Sequence, residues 1–450
     1  MDLASDLEQL VAVNAGDSAL EQHSADLSYH PAARPEIVVY PESTEEVARV
    51  LAYADTHGIP VVPFGAGTSL EGHVIPLRGG ISLDLTRLHR ILAVRPEDLT
   101  ATVQAGVTRL QLEAAVGPQG LWFPVDPGAD ATLGGMAATN ASGTTTVRYG
   151  GMRAHVLELE VVLPGGRVIR AGSRAVKTSA GYHLSGLFVG SEGTLGVITE
   201  LTLRLHPIPE HIVVARAAFP SVEAACAAAA SMIAVGVQVT RCELLDALTI
   251  GALNAFSGAD FPVSPYLFIE LGGTEAAVAG DLETVRELVT DEGATAFESG
   301  ADPTARSQMW GMRHNALMAS LALAPGSKAM TTDVAVPVSE LPGAIAAARQ
   351  ALEATDLRGG IVGHVGDGNF HVAFLLDPDD PESIARAKEL NGRVVEDALA
   401  RGGTCTGEHG VGIGKLDYLE QEHGDLLDLY RGVKMLFDPN GIMNPGKVVR

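Results

Sequence analysis

Apolar and polar positions along this chain switch repeatedly between a period of two and a period near 3.6. Residues 36–40 and 59–64 are short β-branched runs, and between them Val47, Val50, Leu51 and Ala54 recur at helical spacing. Ser43 and Glu46 stand in capping-box positions ahead of that helix, and Gly58 stops it. The result is a βαβ unit whose second strand empties into a glycine-rich loop at its carboxyl end, where α/β folds place ligands. Further strands are expected at residues 81–85, 91–94 and 100–105, with a helix over 108–116. Residues 156–163 alternate, turn at Pro164, Gly165 and Gly166, and return through 168–171 as a β-hairpin. A strand over 197–205 follows, and Pro207 and Pro209 mark a domain boundary. At the other end, a helix is expected over residues 2–13.

Beyond His211 the pattern changes to strands interleaved with Ala-rich helices. Strands are expected at 212–219, 239–243, 266–270 and 332–337, and helices at 222–235, 276–290, 304–323 and 341–355. Residues 360–376 read as another hairpin. This is the pattern of an antiparallel sheet with helices on one face, an α+β domain. The expected division is 1–207, 208–402, and a Gly-rich C-terminal segment, 403–450.

Composition narrows the functional classes. With 450 residues there is room for two or three cores, and 46% hydrophobic with 19% charged residues is ordinary for a globular protein. A formal net charge of −24 argues against nucleic acid as a partner, so an anionic substrate must be caught by a few local cations. Three cysteines make no disulfide framework, which suits a reducing compartment. The acidic N-terminus lacks the basic start and apolar run of a signal peptide. The most apolar stretch, around residues 224–239, is too short and too interrupted to span a bilayer. Together these suggest a cytoplasmic protein, with peripheral contact at a membrane left open.

Candidate chemistry sits in loops poor in side-chain bulk. Gly65, Ala66, Gly67, Thr68 and Ser69 make either a plain turn or a nest of N–H groups suited to phosphate. No Gly-Lys-Ser/Thr follows, and the glycine spacing is not that of the dinucleotide fingerprint. Gly134 and Gly135 open a second small-residue stretch with Asn140, Ser142, Gly143 and Thr144, and a third loop runs over residues 190–196. Three such loops in one half favour a large cofactor.

The segment G-H-V-G-D-G-N-F-H, residues 363–371, is the most specific signal. With Asp367–Gly368 as a two-residue turn, Gly366 faces Asn369, Val365 faces Phe370, and His364 faces His371. Directly opposed residues hold their Cβ atoms roughly 5 Å apart. Such a pair is either two stacked imidazoles or half of a metal site. Glu408, in T-C-T-G-E-H-G-V-G, is a candidate third ligand, and two histidines with one carboxylate leave coordination positions open for chemistry. Arg313, in M-W-G-M-R-H-N, reads equally as a planar fork for a carboxylate or as a charge on a solvated helix face.

Taken together, these motifs resemble the FAD-linked oxidases of the vanillyl-alcohol-oxidase type. P-F-G-A-G-T-S-L looks like that family's pyrophosphate loop, and D-P-G-A-D-A-T-L-G-G-M, A-S-G-T and S-E-G-T-L-G-V-I-T look like its other flavin contacts. T-T-D-V-A-V-P-V-S-E-L-P, the histidine hairpin, G-E-H-G-V-G-I-G-K and D-P-N-G-I-M-N-P-G-K are most similar to the branch of non-NAD, cytochrome-type D-lactate dehydrogenases. D-2-hydroxyglutarate dehydrogenase and the glycolate oxidase flavin subunit are near relatives of that branch. The resemblance covers residues 35–449.

It implies an α+β protein: a two-subdomain FAD-binding domain, an antiparallel-sheet cap domain, and a C-terminal segment returning to the first. By position it assigns FAD contacts to Pro63, Gly65, Ala66, Gly67, Thr68, Ser69, Leu70, Pro127, Gly128, Thr132, Gly134, Gly135, Ala138, Ser142, Gly143, Glu192, Gly196, Ile198 and Asn444. Met136 stands where relatives often carry Asn, so no side-chain contact is carried over there. Covalent relatives often hold a His in the pyrophosphate loop; Thr68 in that place implies non-covalent FAD. The resemblance also implies a divalent metal (Zn, Mn or Fe) on His364, His371 and Glu408, with Arg313 binding the acid. Adjacency to Glu408 makes His409 the candidate base. The expected reaction is oxidation of a D-2-hydroxy acid to the 2-keto acid, with hydride passing to flavin N5 and electrons to a quinone, cytochrome or electron-transfer protein. The rivals are a non-redox flavoprotein transferase of the alkylglycerone-phosphate-synthase kind and an electron-relay subunit.

Overall fold

The computed structural model describes residues 3–377 and 379–450. The chain divides into two compact units: residues 1–143, 150–208 and 408–450 form the first, and residues 144–149 and 209–407 the second.

The first unit holds two sheets. In one, Ile37–Tyr40, Ile81–Asp84 and Val61–Phe64 run parallel, with Ala12–Asn14 antiparallel at the Ile37–Tyr40 edge. The expected helix is present as Thr44–His57. Ser43 accepts from the Glu46 N–H at its start, and Gly58 closes it in the left-handed region at φ 65°. Its Val47, Val50, Leu51 and Ala54 are fully buried on Ile37, Val39, Val61, Ile81 and Leu83. Burial of each larger side chain contributes roughly 1.5–3 kcal/mol relative to exposure. The second sheet is antiparallel, ordered Ile91–Arg95, Thr100–Gln104, Val197–Arg204, Val156–Val162, Val168–Gly172. The C-terminal segment returns as expected: Val61 N–H donates to Ile442 O (2.8 Å) and Asn444 N–H to Val61 O (2.8 Å).

In the second unit, seven strands make one antiparallel path among the described residues. Its order is Ala296–Gly300, His211–Ala218, Tyr266–Gly273, Val239–Leu245, Arg358–His364, Asn369–Leu376, Lys328–Thr331; Val334–Ala335 also pairs with Asn369–Leu376.

Four expectations need correction. The first helix ends at Glu8, because the Leu10 and Val11 N–H groups close on Leu7 O and Ala12–Asn14 pairs with the open edge of Ile37–Tyr40. Helical spacing of Leu3, Leu7 and Leu10 had hidden that pairing; Asp2 lies outside the described residues. The 304–323 helix is two, Pro303–His314 and Ala316–Ala322, broken at Asn315 (φ −83°, ψ 0°). The 332–337 strand is interrupted, because Thr332 and Asp333 turn their side chains to other segments. The domain limits also shift. Residues 144–149 join the second unit, where Arg148 donates to Gly272 O (2.6 Å) and Gln238 O (2.9 Å). Residues 403–407 stay with it too, through Thr404 N–H to Ala335 O (2.8 Å) and Gly407 N–H to Asp333 O (3.1 Å). The helices Ala247–Ser257 and Pro381–Ala400 were not anticipated, although Asp246 and Asp380 cap them as a sequence reading would ask.

Candidate active site

In the first unit, the strand Val61–Phe64 delivers the chain into the glycine loop. Among the described residues, no backbone N–H of residues 65–70 finds a protein acceptor. Six adjacent donors at a strand's end suit a diphosphate, so the loop fits the pyrophosphate of FAD. Gly65 is required there because a Cβ would overlap Thr132 Oγ1, and Gly67 is left-handed at φ 67°. Ser69 is committed elsewhere: its hydroxyl donates to Asp26 Oδ2 (2.8 Å) and its carbonyl accepts from Leu27 N–H (3.0 Å).

The other loops are built by close packing. Thr132 caps Leu133–Thr139 by accepting from Gly135 N–H. A Cβ on Gly134 would come 2.6 Å from the Ala105 Cβ, one on Gly143 would come 2.5 Å from Asp126 O, and one on Gly196 would come 2.9 Å from Val161 Cγ1. Ala138 O accepts from Glu192 N–H (2.8 Å). Pro63 packs against Gly193, Pro127 is half-buried, Gly128 is exposed, and Leu70 and Ser142 are half-buried. Ile198 is buried in its strand.

Two of the expected FAD contacts, Glu192 and Asn444, also hydrogen-bond within the protein. The Glu192 carboxylate accepts from Val411 N–H (2.6 Å) and Gly412 N–H (2.8 Å) and pairs with His73 Nε2 (3.3 Å). Burial pushes its pKa up, but His73 and the two N–H donors outweigh that and hold it below the ordinary carboxylate value. Burial pulls His73 down, while Glu192 above all raises it, and the net shift is upward. Asn444 donates to His73 O (3.0 Å) and Glu192 O (2.7 Å) and accepts from Lys447 Nζ (3.0 Å). These side chains tie together three segments remote in sequence. In the same unit, His409 Nδ1 lies 3.9 Å from Glu71 Oε1, which also faces Lys415 Nζ at 3.5 Å; Glu408 precedes it at the start of the C-terminal segment.

The second unit gathers His364 and Arg313 on a carboxylate that sequence reasoning missed, Glu243, with His371 beside His364. The hairpin register is corrected by two: His364 pairs with Asn369, and His371 lies opposite Val362. The turn takes four residues, 365–368, rather than two. Asp367 N–H closes on His364 O (3.2 Å), and Gly368 at φ 86° offers its carbonyl to Val336 N–H (3.0 Å). A shift of two keeps both histidines on one sheet face. Their ring centroids are 5.6 Å apart with planes at 87°, and a ring nitrogen of each lies within 4.8 Å of the other's.

His364 Nδ1 donates to Glu243 Oε1 (2.7 Å), and His371 Nδ1 donates to Thr332 O (2.9 Å). Both partners only accept, so Nδ1 of each ring carries a proton, and whenever the ring is neutral its lone pair falls on Nε2. That is the tautomer a metal ligand needs, fixed by the hydrogen bond at the other nitrogen. Arg313 Nε donates to Glu243 Oε2 (2.7 Å), while its two Nη groups donate to no described residue. Glu243 is fully buried; burial raises its pKa, but His364 first and then Arg313 bring it below the ordinary value. The one signal for it was an acid inside the apolar strand V-T-R-C-E-L-L.

Comparison with known proteins agrees with this geometry. The pattern of the FAD binding domain matches residues 35–172, and that of the FAD linked oxidases, C-terminal domain, matches residues 208–448. The fold is shared with 4-ethylphenol oxidase from Gulosibacter chungangensis (TM-score 0.79, 18% identity, 99% of this chain and 96% of that one). It is shared also with alkyldihydroxyacetonephosphate synthase (TM-score 0.77, 20% identity, 99% and 85%). The two family patterns and the curated relatives together define the class, an FAD-dependent oxidoreductase. Within that class, the chain belongs to the FAD-linked oxidase family. It is 45% identical to "Probable D-lactate dehydrogenase, mitochondrial" of Danio rerio over 97% of this chain and 89% of that one. Identity is 44% to "D-lactate dehydrogenase [cytochrome], mitochondrial" of Arabidopsis thaliana (94% and 75%). It is 38% to "Glycolate oxidase subunit GlcD" of Escherichia coli K12 (92% and 83%). Among the described residues, no helix is long and apolar enough to cross a membrane.

Proposed function

We propose that this chain oxidises a short D-2-hydroxy acid such as D-lactate to the 2-keto acid and passes the electrons to a quinone, cytochrome or electron-transfer protein. The observation that carries the reading is the joint anchoring of Arg313 and His364 on Glu243, each at 2.7 Å. Arg313 thereby presents its Nη pair as a fork for the substrate carboxylate. His364 and His371 present Nε2 lone pairs as ligands for a divalent metal, Zn, Mn or Fe, with Glu408 as the carboxylate of the set. Such a metal supplies Lewis acidity that lowers the pKa of the substrate hydroxyl. His409 accepts the hydroxyl proton. FAD, held without a covalent bond, supplies the hydride acceptor at N5. The hydroxyl proton and the C2 hydride leave together as the C2–O bond becomes a carbonyl.

The names of the fish and plant relatives support D-lactate, and likeness to the glycolate oxidase subunit makes glycolate the second reading. Turnover of D-lactate, L-lactate, glycolate and D-2-hydroxyglutarate by the purified chain, with an artificial electron acceptor, tests both. D-lactate should show the highest kcat/KM. A glycolate preference favours the second reading, and no turnover of any 2-hydroxy acid overturns the proposal.

A further inference from the structure

We infer that Glu243 is a positioning residue: it fixes the spacing between the carboxylate fork of Arg313 and the proposed metal ligand His364, and so selects acids oxidisable at C2 over those with the hydroxyl on C3. The inference rests on the proposed 2-hydroxy-acid reading and adds the element that measures the substrate.

Glu243 lies on Val239–Leu245, a strand paired on both sides, with Phe268 opposite on one flank and His364 opposite on the other. The ladder prevents Glu243 and His364 from sliding past each other. Its two oxygens are divided, Oε1 to His364 Nδ1 and Oε2 to Arg313 Nε. A fully buried carboxylate requires such partners, and neither can leave without stranding the charge. Arg313 is held from behind as well. Its helix, Pro303–His314, docks on the next strand through Trp310 Nε1 to Glu270 Oε2 (2.7 Å) and Arg306 Nε to the same oxygen (2.8 Å).

The Nη pair of Arg313 and the Nε2 of His364 are therefore referred to one rigid carboxylate. In a 2-hydroxy acid the carboxylate and hydroxyl carbons are adjacent, whatever follows C2. A 3-hydroxy acid inserts a methylene and displaces the hydroxyl by more than about 1 Å, an error that costs on the order of 10²-fold in rate. Lengthening the tail of a 2-hydroxy acid leaves the spacing unchanged, so the arrangement sorts by hydroxyl position before chain length.

The test uses holoenzyme, Glu243→Gln and Glu243→Asp. Glutamine keeps the volume but has one acceptor oxygen and an NH2 that only donates, so it cannot accept from both His364 Nδ1–H and Arg313 Nε–H as the carboxylate does. The wild type should favour D-lactate over D-3-hydroxybutyrate by about 100-fold or more in kcat/KM. In Glu243→Gln the ratio should fall at least tenfold, because the D-lactate value drops while the poor substrate barely changes. Binding of oxalate against malonate, read from the flavin absorbance change without turnover, should lose its discrimination in parallel. Glu243→Asp keeps both acceptors on a shorter stem and should recover part of the ratio in both assays. A variant that loses activity toward both acids alike, with the oxalate-to-malonate preference intact, overturns the inference, since that is the behaviour of a merely structural residue. Should Glu243→Gln fail to retain FAD, Glu243→Asp decides by the same ratios: a value equal to wild type overturns the inference. A wild type that turns over no 2-hydroxy acid refutes the functional proposal instead, and the oxalate-to-malonate ratios still judge Glu243.

Discussion

His364 lies diagonally across the hairpin from His371, two residues away from direct opposition, with both imidazoles on one face and their centroids 5.6 Å apart. His364 Nδ1 donates to Glu243 Oε1 and His371 Nδ1 donates to Thr332 O, which orients both rings. His371→Ala should therefore lose its metal and reduce kcat/KM by more than about 100-fold, since even the hydrogen-bond partners of metal ligands matter by about 10–100-fold. The FAD spectrum and a cooperative melt should persist. Chelation should inactivate the wild type, and Zn²⁺, Mn²⁺ or Co²⁺ should restore it. Elemental analysis that finds no stoichiometric ion in active protein refutes the metal assignment.

Arg313 offers its Nη pair while Nε is fixed on Glu243. Charge-assisted hydrogen bonds contribute about 1.5–3 kcal/mol, so Arg313→Ala should lower kcat/KM by roughly 10- to 100-fold with normal FAD content. Arg313→Lys should be damaging too, because an ammonium cannot both hold Glu243 and present a fork. Unchanged kinetics in the alanine variant would return Arg313 to a structural role beside Glu243.

Thr68 occupies the loop position where covalent relatives often carry His, and it has no nucleophilic nitrogen. Acid precipitation of the holoprotein should leave yellow FAD in the supernatant. A pellet that retains its flavin contradicts non-covalent binding.

The buried Glu192–His73 pair makes stability depend on pH in a defined window. Glu192 is held below its ordinary 4.5, so its contribution is complete above that value and is lost as pH falls through the depressed one. His73 is raised above its ordinary 6.5, so its contribution is complete below that value and is lost as pH rises through the raised one. Removing one partner of a buried pair costs about 3–5 kcal/mol. The melting difference between wild type and Glu192→Gln should therefore be widest between about pH 4.5 and 6.5 and narrow as the pH rises through the raised His73 value. A Glu192→Gln variant that melts with the wild type between about pH 4.5 and 6.5 would show that the pair does not hold its charge.

Local patterning determined much of this protein. Ser43, Glu46 and Gly58 bound a helix whose apolar face recurs every three to four residues, and the structure keeps it as Thr44–His57. The glycine loop after Val61–Phe64 and the family it belongs to were equally legible, because turn chemistry and loop motifs are written in adjacent residues. The hairpin was legible only in part. An Asp-Gly pair signals a turn, but its length was decided by Val336 N–H, which captures the Gly368 carbonyl from a segment 32 residues earlier. The edge strand Ala12–Asn14 was decided likewise, by an open edge elsewhere in the fold. Glu243 marks the limit most clearly. Nothing within its own strand indicates that one oxygen meets His364 and the other Arg313, since those partners stand 121 and 70 residues away. Periodicity and motifs report on neighbours along the chain, whereas a buried carboxylate takes whatever donors the sheet and helix bring to it.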